Sequence, residues 1–257
     1  MDYLEARDAR DLPGLRLALT YKIPNPYGEA AKAIFQIKGL PFVPVAQHST
    51  QPNEDLMAWT GHRNAPVAVW DDEPARAGWA EILMLAERLR PDPPLLPADR
   101  EQRALVFGLS NEICGEDGYA WNSRLLMFPE QAAGEKRNES DTWSDLLQSR
   151  YGGSPQAVQA AKDKAGGVLR LLAKHLHAQK AKGSPYLVGG TLTAADIYWA
   201  TLSIGVAQLP DEACATPGFL RKVWGRMGER LKDDLDPILI DHRDYVFSKH
   251  LRTPLDF

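Results

Sequence analysis

Residues 15–21 read Leu-Arg-Leu-Ala-Leu-Thr-Tyr, with every second position apolar, the period of a half-buried strand. After Pro24-Asn25-Pro26 the period changes. Ala30, Ile34 and Ile37 fall at i, i+4 and i+7, Ala31 and Phe35 widen the stripe, and Gly39 follows, which predicts a helix that stops at the glycine. Residues 42–45, Phe-Val-Pro-Val, supply a second short strand. A helix inside the connection predicts a right-handed crossover with these two strands parallel. A third strand, Pro-Val-Ala-Val-Trp, spans 66–70 and runs into the acidic turn at Asp71 to Pro74. Trp79, Ile82, Leu83, Ala86 and Leu89 then recur at helical spacing and close a small α/β unit by Arg90.

Residues 91–97, Pro-Asp-Pro-Pro-Leu-Leu-Pro, hold four prolines in seven positions. Regular helix is impossible there, and an extended linker is expected. The boundaries follow as a first domain over 1–90, a linker over 91–98 and a second domain over 99–257. Beyond the linker the pattern is helix and loop, with helices expected near 100–116, 121–128, 155–179, 194–206 and 219–231. Residues 134–141 read as a solvated polar loop. The strongest local signal lies at 184–200, where a Gly189-Gly190 turn precedes Thr193 as N-cap and Asp196 at the third helical position. Together they form a capping box worth roughly 1–2 kcal/mol with the helix-end field. Ile197, Trp199, Ala200, Leu202, Ile204 and Val206 surround the helix that follows, so it is expected to be buried and central.

Composition narrows the function classes. At 257 residues the chain can bury one large core or two smaller ones. Thirty Lys and Arg against 34 Asp and Glu give −4, with no long basic run, which argues against a nucleic-acid partner. Cys114 and Cys214 are too few for a disulfide framework and show no CxxC spacing, so they read as buried small hydrophobes in a reducing compartment. The first ten residues lack a signal-peptide core, and the longest uncharged run, the 14 residues over 197–210, is short of the ~20 needed to span a bilayer. A cytoplasmic protein without a membrane partner is expected. His175 and His177 fall on different helix faces outside any ligand cluster, so no metal is expected. The Asp241-His-Arg-Asp244 likeness to a kinase catalytic loop lacks every companion motif.

An α/β unit of about ninety residues, a Pro-rich linker and a helical domain carrying Gly-Gly-x-x-Thr-x-x-Asp resemble the cytosolic glutathione transferases of bacterial type, over about 15–240. The resemblance implies a thioredoxin-like first domain that binds glutathione as co-substrate. It also implies an all-helical second domain that supplies the pocket for a small apolar electrophile, a homodimer, and a role in detoxification. Thiol transfer needs a thiolate near neutral pH, whereas a free thiol has a pKa around 8.5. The resemblance places Tyr21 at the Tyr-type activating position and Asn25 where Ser- or Cys-type members carry theirs. Asn64-Ala-Pro-Val67 matches the segment whose proline is cis, with Ala65 and Pro66 lying along the peptide. Where the family places an acid-Ser pair for the γ-glutamyl carboxylate, this chain has Gly78-Trp79, and Arg76 is the nearest substitute cation. Free N–H groups at that helix start remain a further means of holding a carboxylate. Tyr119, Trp121 and Arg124 are the expected electrophile-pocket residues. The rival readings are glutathione-dependent reductive cleavage of ethers or halides, and a binding or scaffold protein that has kept the fold without catalysis.

Overall fold

The computed structural model describes residues 1–127 and 154–257; the loop expected over 134–141, and Phe128, lie outside the described residues. Strand β1 (Leu15–Thr20) is central in a three-stranded sheet of order β2-β1-β3. β2 (Val43–Gln47) runs parallel to it, with Thr20 opposite Gln47, as the crossover rule requires. β3 (Val67–Trp70) is antiparallel to β1, with Ala18 opposite Val67. All six residues of β1 are buried, a correction to the half-buried strand expected from its alternation. The Arg16 guanidinium donates to the carbonyls of Leu12, Gly14 and Asp71. The short helices α1 (Ala6–Ala9) and α3 (Glu54–Thr60), neither of them predicted, contribute Ala6, Ala9 and Leu56 to a small core with Ala18, Val45 and Val67 of the sheet.

The helix of the crossover, α2 (Pro26–Ile37), packs beside α4 (Trp79–Leu89). After the linker come α5 (Arg100–Cys114) and α6 (Tyr119–Ser123), which continues as the 3-10 turn Arg124–Met127. Then follow α7 (Pro155–Ala181), α8 (Ala194–Leu202), α9 (Gly218–Leu231) and α10 (Pro237–His250). All nine residues of α8 are buried, and the helix packs against α2, α5 and α10, the central position its all-round apolar sequence predicts. It ends at Leu202 and passes into the 3-10 turn Ser203–Gly205, so the expected helix over 194–206 is shorter by a turn. α10 was not predicted, although Asp236-Pro237 is a start signal: the Asp236 carboxylate accepts from the Ile238 N–H at 2.9 Å.

One hydrophobic core runs from Leu15 to Phe247, joining the sheet-bearing part and the helical part. Polar bonds pin the linker into this seam. The buried Lys38 ammonium pairs with Glu87 and donates to the Pro91 carbonyl at 3.1 Å. Glu87 also accepts from the Leu95 N–H at 2.9 Å, and the Leu95 carbonyl accepts from the Ala194 N–H at 2.9 Å. No described helix is long and apolar enough to cross a membrane.

The capping box at α8 carries more than a helix end. Asp196, 0 % exposed, accepts at Oδ2 from both the N–H and the hydroxyl of Thr193, each at 2.8 Å. Its Oδ1 accepts from the Leu187 N–H at 2.7 Å and lies 2.9 Å from His242 Nε2 on α10. One carboxylate therefore ties the preceding loop, the helix start and α10 together, which also gives His242 a structural place. Asp196→Ala strands these donors in a dry interior and is expected to cost about 4 kcal/mol. Urea unfolding should show the lower midpoint with an unchanged slope.

Glu29 of α2 is a buried group of the opposite character. Burial pushes its carboxyl up from 4.5 to about 7, although Lys32 Nζ sits 2.9 Å away. The folded protein therefore binds this proton more tightly than the unfolded chain. Stability from this group is fully present below pH 4.5, falls as pH rises to about 7, and stays at the lower level above it. The difference is about 3 kcal/mol. Relative to the parent, Glu29→Gln should gain that amount between pH 4.5 and pH 7, measured by paired urea unfolding across that range.

Candidate functional site

The parallel pairing of β1 and β2 brings their C-terminal ends to one edge of the sheet, where the turn at Pro24-Asn25-Pro26 starts α2. Asn25 is the N-cap. Its Oδ1 accepts from the N–H groups of Tyr27 at 3.1 Å and Gly28 at 3.5 Å, and Pro26, which has no N–H to satisfy, takes the first helical position. The Asn25 Nδ2 donates to Thr20 Oγ1 at 3.0 Å, which ties the strand end to the helix start.

Across this edge, a cleft of about 540 Å³ separates the sheet-bearing part from the helical part. Thr20, Asn25 and Gln47 form its polar side, and Trp121, Phe219, Trp224 and Met227 face them. Arg124 is the one charged side chain among its described wall residues, its guanidinium lying 5.4 Å from the ring centroid of Tyr27 and 4.9 Å from that of Trp121. A second cleft of about 310 Å³ adjoins it and shares Tyr27, Ala65, Trp121 and Arg124 with it. Pro66, Gly78, Trp79 and Tyr198 are among its other wall residues. The Ala65-Pro66 peptide bond is cis, as the resemblance implies. Neither the N–H nor the C=O of Ala65 has a hydrogen-bond partner among the described residues.

Of the residues expected from the sequence, the structure brings Asn25, Ala65, Pro66, Gly78, Trp79, Trp121 and Arg124 to this double cleft. Three lie elsewhere. Tyr21 lies in the turn just beyond β1. Its ring packs at 5.3 Å on both Tyr3 and His48, with Lys22 Nζ 5.0 Å away, and it lines neither cleft. Tyr119 is 0 % exposed and stacks edge-on against Trp199 at 5.5 Å, so it is core and not wall. Arg76 donates to the Pro74 carbonyl at 2.6 Å and lies 3.6 Å from Glu73, which directs it away from the smaller cleft.

The start of α4 carries Gly78-Trp79 and no acid-Ser pair. Gly78 is the N-cap, and the N–H groups of Gly78 and Ala77 donate to the same Glu81 Oε2, at 2.9 and 3.2 Å. These donors are therefore occupied by the chain's own carboxylate. Trp79 lines the cleft without filling it. Its ring packs on Phe107 at 6.3 Å and on Tyr198 at 5.5 Å, and its carbonyl accepts from the Tyr198 hydroxyl at 3.0 Å. Cys114, also on this wall, is pushed well above the ordinary thiol range by burial and stays protonated. Among the described residues no group of three or more His, Cys, Asp and Glu can hold a metal.

Thr20, Gln47, Phe219 and Trp224, which line the larger cleft, were not expected there. Counting the strand alternation to its last residue offers a signal for Thr20. Spacing gives none for Phe219 and Trp224, which reach the cleft from α9, about two hundred residues along the chain.

No family model matches the sequence, and no curated protein matches it. Solved structures do match in shape. A glutathione S-transferase domain-containing protein of Marinobacter aquaeolei shares 16 % identity, over 92 % of this chain and 100 % of that one, with a TM-score of 0.64. A glutathione transferase family member of Pseudomonas fluorescens, with two glutathione bound, shares 15 % over 92 % and 89 %, at 0.61. A glutathione S-transferase of Methylobacterium radiotolerans, in complex with glutathione sulfonate, shares 20 % over 95 % and 98 %, at 0.53. The chain has the glutathione S-transferase fold.

Asn25→Ala removes the acceptor for two N–H groups and should lower stability by about 1 kcal/mol. Asn25→Asp keeps the acceptor and should lose less than half of that. Thermal unfolding of both variants measures the difference.

Proposed function

We propose that the protein is a glutathione transferase-like enzyme that presents the glutathione thiol to a small apolar electrophile. The observation that carries this reading is Ala65: an unbonded peptide unit before a cis-proline, on the wall that joins the two clefts. Such a backbone edge pairs with an extended peptide as a strand would. A tripeptide held there has its thiol near the start of α2, where the Asn25 amide is the expected activating donor. The aromatic faces of Trp121, Phe219 and Trp224 suit a flat, apolar co-substrate in the larger cleft. In the reaction the thiol proton passes to solvent and a sulfur lone pair forms the bond to the electrophilic carbon, while a leaving group such as a halide departs from that carbon with its bonding pair. Solved proteins of the same fold hold glutathione or its sulfonate, which supports the choice of thiol. A homodimer in the cytoplasm completes the reading.

Glu81 favours a second reading, a binding protein of the same fold without catalysis, because it occupies N–H groups that a ligand carboxylate would use. Calorimetric titration with glutathione separates them together with a turnover assay on an aromatic electrophile. Millimolar or tighter binding with turnover is expected. Absence of binding at millimolar glutathione contradicts the enzyme reading. Glu81→Ala frees the two N–H groups and removes a negative charge, so glutathione should bind about fivefold more tightly, roughly 1 kcal/mol.

A further inference from the structure

We infer that Arg124 selects the second substrate, and that the electrophile of the larger cleft is a flat aromatic ring carrying a carboxylate. This rests on the thiol-transfer reading above and names a class within its small electrophiles. Arg124 begins the 3-10 turn after α6 and is half-buried on the wall that both clefts share. Its guanidinium lies 4.9 Å from the Trp121 ring centroid and 5.4 Å from that of Tyr27. Aromatic faces this close attract the cation and restrict its rotamers, so less freedom is lost when a ligand binds it. A guanidinium carries several N–H donors in one plane, and it can serve a protein group and a ligand carboxylate together.

The two clefts differ in what an acidic group would meet. In the larger one no described wall residue carries a carboxylate, and the groups opposite Arg124, Thr20, Asn25 and Gln47, are uncharged. The smaller one has Glu116 on its wall, a like charge to any carboxylate placed there. The acidic group therefore fits on the electrophile better than on the peptide. Trp121 is both an aromatic face of the larger cleft and a neighbour of the guanidinium, so a ring packed there can extend a carboxylate to Arg124. That charge-assisted bond is one a neutral substituent does not make. The carboxylate is unchanged by the reaction. In an aromatic substitution a sulfur lone pair bonds to the ring carbon, the halide departs with its bonding pair and the thiol proton passes to solvent. Arg124 orients the ring and exchanges no proton.

Quenching of tryptophan fluorescence reads the binding of an inert aromatic acid, since Trp121 and Trp224 line the cleft. The wild-type protein should bind nitrobenzoate about tenfold more tightly than nitrobenzamide at low salt, with the ratio shrinking as salt is added. Arg124→Gln should bring the ratio below about twofold, and Arg124→Lys, which keeps the charge without the planar fork, should hold it above about threefold. In turnover with glutathione, a chloronitrobenzoate should show a KM about tenfold below that of the matching benzamide, with similar kcat once each is divided by its uncatalysed rate. Equal binding of acid and amide by the wild-type protein overturns the inference, and that comparison needs no variant to fold. So does a ratio that survives Arg124→Gln in a variant whose thermal unfolding matches wild type. Displacement of nitrobenzoate by saturating glutathione overturns it too, because Arg124 then serves a carboxylate of the peptide. Failure of glutathione to bind, read by calorimetry, is a separate result: it removes the thiol reading and with it the acid's role as substrate, while the fluorescence ratio stays as it was.

Discussion

A carboxyl group with no exposure to solvent must find its hydrogen-bond partners within the protein, and Asp196 finds them in the Thr193 backbone and hydroxyl, the Leu187 backbone and the His242 ring. The consequence is positional. These bonds set the start of α8, and α8 is the helix from which the seam is built. Ala194 at its first position binds the linker through the Leu95 carbonyl, the Tyr198 hydroxyl holds the Trp79 carbonyl at the start of α4, and the Trp199 indole donates to the Leu239 carbonyl on α10 at 2.9 Å. A helix buried on every side tolerates few alternative orientations, so the groups it carries are placed with it.

The double cleft is the outer end of the same seam. The Tyr27 hydroxyl of α2 donates to the Cys114 carbonyl at the end of α5 at 2.7 Å, which joins the helix start that carries Asn25 to the segment leading into Trp121 and Arg124. The polar edge of the larger cleft thus comes from the sheet-bearing part and its aromatic wall from the helical part. Within this arrangement burial raises the pKa values of Tyr119 in the core and of Tyr198 and Cys114 on the smaller cleft's wall and keeps all three protonated. The larger cleft is edged instead by uncharged polar groups, Thr20, Asn25 and Gln47, and by unbonded backbone at Ala65.

What was legible in the sequence is what local physics encodes. The capping box at Thr193 and Asp196, the crossover from β1 through α2 to β2, the proline-rich linker and the central burial of α8 all follow from short-range patterns. The cis-proline at Pro66 and the cleft positions of Asn25, Trp121 and Arg124 came with the resemblance. The misplacements share one cause, that side-chain direction depends on where a strand or helix meets its neighbours. Tyr21 and Thr20 are adjacent in sequence, yet only Thr20 lines the cleft while the Tyr21 ring packs on Tyr3 and His48. Tyr119 and Trp121 are two apart on one helix, and only the latter reaches the cleft. Arg76 was drawn to Glu73, and Glu81 folded back onto the helix start that the missing acid-Ser pair left open. α10 carried its start signal at Asp236-Pro237, and its burial depends on contacts with α7 and α8 that no periodicity within it announces.

The most direct test of the account is a crystal structure of the protein with an S-aryl glutathione conjugate. The sulfur should lie at the start of α2 within hydrogen-bond distance of Asn25 Nδ2, with the cysteinyl backbone paired to Ala65 and the aryl group between Trp121 and Trp224. A conjugate bound with its sulfur against Tyr21, or outside the double cleft, contradicts it.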